Sequence, residues 1–355
     1  MVYAWHKSHW MQLMGELDRL HHALLLTGPT GIGKLDFAMA IAQRLLCQQP
    51  GSDGFACGDC LACKWFLADN HPDFRRISPE YGGEKESPAD ATEAQSATAE
   101  QQKQGSRGIL LDQVRALSQL VAVGAHQAGR RVILIHPAEA MNQHSANALL
   151  KLLEEPPASH YILLISNAVD RLLPTIRSRC HVVRLGKPER EQALEWLREA
   201  GLPSPDAALA AAGGMPLEAA KYAQPELAEL FEWVVAELSK GRDIDPVAVA
   251  SNWENRMRSR GIQQIAGMLP AVVGWLQKWL VDLIVCRMGA QPTYFGAAVD
   301  SLRRIAAGAR QTDLFGYYDE LLSLKRFCEH PLNGRLFMED MMIRYSWSVS
   351  CEAAR

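Results

Sequence analysis

The sequence has no excess of charge, no long apolar run and no internal repeat. Its 355 residues carry 37 Lys and Arg against 40 Asp and Glu, a formal net charge of −3. Without a global positive field, any contact with a polyanion has to come from a local patch. No apolar run approaches the roughly 18–20 residues of a membrane span. The first residues, Met1-Val-Tyr-Ala-Trp-His-Lys7, lack the charged, apolar and small-residue succession of a signal peptide, so we expect a cytoplasmic protein. One stretch lacks apolar side chains almost entirely. Tyr81 to Gly108, with Gly-Gly-Glu-Lys-Glu-Ser-Pro and Ala-Thr-Glu-Ala-Gln-Ser-Ala-Thr-Ala-Glu-Gln-Gln, cannot bury enough to offset the entropy of ordering it. We expect a flexible surface insertion there.

What is present is ordinary for a globular chain of two or three domains: 48% apolar and 22% charged residues. The first half alternates strand-like and helix-like segments. Short apolar runs at Ala23–Thr27, Arg131–Ile135, Tyr161–Ser166 and His181–Leu185 read as strands. Helices are expected at Lys34–Leu46, from about Asp112, up to Glu155 before Pro156-Pro157, and around Leu172–Arg179. Such alternation predicts an α/β fold, a parallel sheet with helices on both faces. From Pro188 onward strand signals vanish. Short helices at Glu189–Ala200, Pro205–Ala212 and Pro216–Tyr222 precede longer amphipathic ones such as Gly261–Arg287, with Pro270 inside it, and Thr312–Glu329.

Gly28-Pro-Thr-Gly-Ile-Gly-Lys34 lies between a strand and a helix and matches the first seven positions of a phosphate-binding loop. In such a loop, glycines let backbone amides curl round phosphates and the lysine reaches the outer ones. Gly28, Gly31, Gly33 and Lys34 are therefore candidate nucleotide-binding residues. Three features the chemistry needs are missing. The eighth position, where a hydroxyl would bind magnesium, is Leu35. The acidic pair that should end the second strand is replaced by His136-Pro137. Glu139 stands nearby but three residues past His136. Two readings stay open: a retained turn that binds nothing, and a loop that still binds ATP without splitting it.

Four of the eight cysteines crowd together, Cys47, Cys57, Cys60 and Cys63, spaced C-x9-C-x2-C-x2-C. Four thiolates close a tetrahedral zinc site with no open position, which makes the metal structural. Free core cysteines and an iron–sulfur cluster are the alternatives. Asp59 and Lys64 beside the cluster read as solvated.

These motifs resemble a known family. His22-Ala-Leu-Leu-Leu with the loop, the cysteine insertion, His71-Pro-Asp-Phe74, Asn147-Ala-Leu-Leu-Lys-Leu-Leu-Glu-Glu-Pro-Pro157, Thr175-Ile-Arg-Ser-Arg-Cys180 and, less specifically, His330-Pro-Leu-Asn-Gly-Arg-Leu336 look like the bacterial clamp-loader subunits of the AAA+ class. The family has an ATP-hydrolysing gamma/tau type and a delta-prime type. Leu35, His136-Pro137, and Leu217 near the place of a nucleotide-sensing arginine point to the latter. The resemblance implies a RecA-like AAA+ module with a zinc insertion (1–187), a helical lid (188–228) and an all-α collar (229–355). It implies membership of a five-membered ring with gamma/tau and delta subunits that loads the sliding clamp onto primed DNA. It also places in Ser178-Arg179-Cys180 an arginine finger, Arg179, that serves the ATP site of the neighbouring gamma/tau subunit. The plainer reading of Arg179 is a cation at a helix C-terminus, a role Arg177 fits at least as well. Arg130, Arg131 and Lys151 could touch DNA, although a solvated face explains each. An active P-loop ATPase using Glu139, and a zinc-stabilised nucleic-acid-binding module, are the competing functions.

Overall fold

The computed structural model describes residues 2–79, 108–122, 129–157, 159–258, 262–325, 328 and 333–350. They fall into two compact units, 1–189 and 190–355. The expected insertion at Tyr81–Gly108 lies, Gly108 aside, outside the described residues, as do His330, Pro331 and Leu332.

The first unit runs α1 (Lys7–Gly15), β1 (Ala23–Thr27), α2 (Lys34–Leu46), α3 (Leu61–Leu67), β2 (Phe74–Ile77), α4 (Leu111–Ala122), β3 (Arg131–Ile135), α5 (Gln143–Glu154), β4 (His160–Ser166), α6 (Pro174–Arg177) and β5 (His181–Arg184). The strands form one sheet in the order β2-β3-β4-β1-β5. Every pairing is parallel, as in Leu25 beside Leu164 on one edge of β1 and Val182 on the other. β1 and β3 are buried along their whole length, the condition of strands covered on both faces. Alternate side chains divide between those faces. Leu25, Ile133, Ile135, Ile162 and Leu164 pack with Val114, Leu117, Leu149 and Leu153 of α4 and α5, while α2 lies against β1, β3 and β4.

Two elements were not expected from the sequence. The four-residue edge strand β2 reads Phe-Arg-Arg-Ile, with both arginines exposed, and α1 packs Trp10 on Phe37 of α2. Strand β2 also corrects the reading of Arg131 as a solvated or DNA-facing residue. The β2–β3 register sets Phe74 beside Val132, which brings Asp73 to Arg131. Their side chains pair at 3.3 Å with exposures of 0% and 4%, so Arg131 neutralises a buried carboxylate instead of facing solvent. Removing either partner would leave a buried charge, which is costly.

The second unit is helical among its described residues: α7 (Arg190–Glu199), α8 (Pro205–Ala211), α9 (Pro216–Ala220), α10 (Pro225–Leu238), α11 (Pro246–Arg258), α12 (Ile262–Arg287), α13 (Val299–Gly308), α14 (Gln311–Leu324) and α15 (Gly334–Val349). Leu194, Leu197, Leu202, Leu209 and Ala219 make one small core around α7–α9. A larger one is built round α12 and includes Trp253, Leu276, Trp279, Leu283, Leu302, Leu314, Met341 and Tyr345. The stretch Met268–Arg287, 20 residues with a mean hydropathy of 1.5 in its most apolar window, is long and apolar enough to cross a membrane. This departs from the expectation that no segment came close, because Gln277-Lys278 and Asp282 break the run without lowering its average far. Its apolar side chains Val272, Val273, Leu276, Leu280 and Leu283 are fully buried among the other helices, which is the packing of a core helix.

Asp282 fixes the loop that follows α12. Its buried carboxylate accepts backbone N–H bonds from Thr293 at 2.7 Å, Tyr294 at 2.9 Å and Phe295 at 2.7 Å. Charge-assisted bonds of this kind are the strong ones. Asp282→Ala is expected to lower stability by roughly 2–3 kcal/mol, read by urea unfolding of the second unit through its buried Trp253, Trp275 and Trp279. Asp282→Asn, which keeps one acceptor oxygen, is expected to lose less. An unchanged midpoint in Asp282→Ala would contradict this role.

Candidate nucleotide and metal sites

The phosphate-binding loop joins the end of β1 to the start of α2, as its sequence requires. Gly28 has a φ of +149°, and a Cβ there would collide with the Leu185 carbonyl oxygen. Gly33 caps α2 in the left-handed region, φ +89°, where only glycine is at ease. A Cβ at Gly33 would collide with the ring of Tyr3.

That collision reveals what covers the loop. The N-terminal segment lies across it, with Tyr3 and Trp5 stacked at 4.8 Å between ring centres. Tyr3 Oη donates to Asp36 Oδ2 at 3.1 Å. Burial, helped by Asp36, pushes the phenol pKa up to about 12. Trp5 Nε1 donates to the Ile32 carbonyl at 2.9 Å, and His6 Nε2 reaches the same oxygen at 2.8 Å. A carbonyl only accepts, so His6 carries its proton on Nε2. Burial holds the His6 pKa below the usual histidine range, with the bond to the Ile32 carbonyl opposing.

Lys34 is turned inward. Its ammonium donates to the carbonyl oxygens of Gly28 at 2.8 Å and Pro29 at 2.5 Å, and the residue is only 5% exposed. Burial pulls its pKa down to about 8, with Glu139 opposing. His136, at the end of β3, is likewise held below the ordinary histidine range by burial. Glu139 raises its pKa, and Lys34 and Arg76 lower it. Lys34, His136 and Glu139 thus share one electrostatic neighbourhood. Glu139 accepts a bond from the Asn167 backbone N–H at 3.0 Å, while its other oxygen is buried without a partner. Leu35 is half-buried in the first turn of α2 and offers no oxygen. Leu217 falls on α9 of the second unit. The seat of Tyr3, Trp5 and His6 was missed from the sequence. The available signal was the density of rings in Tyr3, Trp5, His6, His9 and Trp10.

The four cysteines come together after α2 and at the start of α3. Their sulfurs all lie within 4.8 Å of one another. Individual separations are 3.5 Å for Cys47–Cys57, 4.0 Å for Cys47–Cys60 and 3.9 Å for Cys57–Cys63. A tetrahedron with metal–sulfur bonds of about 2.3 Å has edges of about 3.8 Å, so the set has the size of a zinc site. Backbone amides also point at the sulfurs: Cys57 N at Cys47 Sγ, 3.3 Å, Cys60 N at Cys57 Sγ, 3.3 Å, and Cys63 N at Cys60 Sγ, 3.4 Å. Such bonds stabilise thiolates, the form that ligates metal. Cys60 doubles as the N-cap of α3. Asp59 and Lys64 are exposed, as expected.

Arg179 follows α6 and precedes β5. It forms an ion pair with Glu154 at 2.6 Å and donates to the Thr175 carbonyl at 3.0 Å, yet its side chain is 36% exposed. Arg177 is exposed and its side chain has no partner among the described residues.

The family model described as "DNA polymerase III, delta subunit" matches residues 6–189. A DNA polymerase III subunit delta' of Pseudomonas aeruginosa is 37% identical over 289 residues, 80% of this chain and 77% of that protein. The chain belongs to the DNA polymerase III delta-prime family. The delta' subunit of Escherichia coli (strain K12) is 29% identical over 293 residues, covering 81% and 78% of the two chains. That of Haemophilus influenzae is 34% identical over 199 residues, 56% and 53%. A DNA polymerase III gamma subunit-related protein from Thermotoga maritima, a crystal structure, aligns over 96% of this chain and 99% of its own at 16% identity and a TM-score of 0.44, too low to bear on the argument. The matched region of this delta-prime family member coincides with the first unit, which holds the loop, the cysteines and Arg179.

Elemental analysis of the gently purified chain is expected to give one zinc per molecule, lost in Cys60→Ser and retained in Cys286→Ser. Metal-free protein with a stable first unit would refute the assignment of the four cysteines.

Proposed function

We propose that this chain is a non-hydrolysing subunit of the DNA polymerase III clamp loader, which acts on a neighbour's ATP through Arg179. The observation that carries this reading is the state of its own loop. The Lys34 ammonium is bound to the carbonyls of Gly28 and Pro29, and Tyr3, Trp5 and His6 cover the loop. With Leu35, His136 and Pro137 where oxygen ligands for magnesium and a water-polarising carboxylate are needed, the site lacks a metal seat and a group to activate water, while its loop amides remain.

Arg179 has what an in-trans finger requires: a planar, permanently charged fork, a part-exposed side chain and anchorage by Glu154 and the Thr175 carbonyl at a helix–strand junction. In a ring of P-loop modules each nucleotide lies at a subunit boundary, where an arginine from the next subunit stabilises the charge of the transferring phosphoryl group. The ring we envisage has five members. This chain contacts a gamma/tau subunit and the delta subunit and helps close the sliding clamp on primed DNA in the cytoplasm. Within it, 1–187 is the AAA+ module, 188–228 the lid and 229–355 the collar. The metal at Cys47, Cys57, Cys60 and Cys63 is structural zinc, since four protein ligands leave no open position. A second reading, turnover by this chain with Glu139 as base, draws on the buried, unpartnered Glu139 oxygen beside Lys34.

The test is a loader reconstituted with Arg179→Ala. Ring assembly and zinc content are expected to stay normal. Clamp- and DNA-stimulated ATPase should fall to what the remaining sites contribute, and clamp loading should fall with it. Arg177→Ala should do less. Normal stimulated turnover with Arg179→Ala would overturn the finger.

A further inference from the structure

Glu154 ends α5, where the aligned peptide dipoles leave partial negative charge and a second negative charge is unfavourable unless a cation answers it. Glu155 follows at the helix C-cap. Of these two neighbouring carboxylates only Glu154 has an ion pair among the described residues, and its partner is Arg179 at 2.6 Å. The guanidinium is gripped from a second side as well. Its Nη1 donates to the Thr175 carbonyl at 3.0 Å and approaches Ser178 Oγ at 3.4 Å, and Ser178 Oγ itself donates to the Thr175 carbonyl at 3.1 Å. The side chain nonetheless keeps 36% of its surface open, and Glu154 keeps 49%. Arg177, two residues earlier, has no such anchorage.

We propose that Glu154 is the positioning residue of Arg179, holding its guanidinium in one pose at the subunit surface; this rests on Arg179 being the in-trans finger. A free arginine loses much rotamer freedom when it engages a partner. One already pinned by a carboxylate and a carbonyl has lost that freedom before the phosphoryl group arrives, which is how pre-organised groups lower a barrier. The pair is exposed on both sides, and exposed pairs are weak, so Glu154 orients the cation without competing with a phosphate for it. Glu154 touches neither nucleotide nor metal in this scheme. Its influence passes wholly through Arg179.

The test is a double-mutant cycle in the reconstituted loader, reading clamp- and DNA-stimulated ATPase as kcat and ATP KM. Glu154→Ala is expected to cut the Arg179-dependent part of kcat about two- to fivefold, the scale of an exposed ion pair, with KM unchanged. Glu154→Gln, which keeps an acceptor oxygen and the length of the side chain, should fall between. In the Arg179→Ala background neither change should have any further effect, because a group that works only through the arginine has nothing left to position. If Arg179→Ala lowers turnover but Glu154→Ala leaves kcat unchanged or raises it, Glu154 is idle or a competitor and the proposal fails while the finger stands. Equal losses from Glu154→Ala in both backgrounds would make it a structural residue and also overturn the proposal. Full activity in Arg179→Ala removes the finger reading itself, and the positioning role with it.

Discussion

The Lys34 ammonium points back at the carbonyl oxygens of its own loop, and the character of the first unit follows from that. A nucleotide seated in this loop would take the lysine for its outer phosphates. Here the lysine closes the turn from inside, at 2.8 and 2.5 Å from Gly28 and Pro29. Burial then makes the ammonium easier to deprotonate than a surface lysine, with a pKa of about 8. At neutral pH it is still mostly charged and still needs those carbonyls.

The N-terminal segment completes the closure. Two donors, Trp5 Nε1 and His6 Nε2, converge on the two lone pairs of the Ile32 carbonyl, and Tyr3 reaches past Gly33 to Asp36 on α2. Trp10 stacks on Phe55 and meets Phe37 edge-on, so α1 ties the loop's helix to the chain leading into the cysteine cluster. Arg179 stands apart from this closure, at the junction of α6 and β5, held by Glu154 and by the Thr175 carbonyl. For the in-trans role proposed for Arg179, a charge already in place is what transition-state stabilisation needs.

Much of this was legible in the residues because the relevant signals are local. Ala23–Thr27, Lys34–Leu46 and Arg131–Ile135 were expected with the bounds observed, since buried parallel strands read as short continuous apolar runs and the loop's glycines mark the turn between them. The cysteine spacing likewise encodes its own convergence. What escaped depends on distant partners. Strand β2 is four residues long with a charged middle, and only its pairing with β3 makes it a strand. Arg131 looked like a basic surface residue because its counter-charge, Asp73, lies 58 residues away in sequence. The aromatic seat at Tyr3, Trp5 and His6 acquires meaning only when α2 brings Ile32 and Asp36 beneath it. The anchoring of Arg179 by Glu154 joins two motifs that were each recognised separately and never connected.

The central claim is that this chain's own nucleotide site does no chemistry. Steady-state ATP turnover by the purified chain in magnesium, measured beside Lys34→Ala, tests it most directly. The account predicts that both stay at background. A saturable, magnesium-dependent turnover in the unsubstituted chain, abolished by Lys34→Ala, would contradict it.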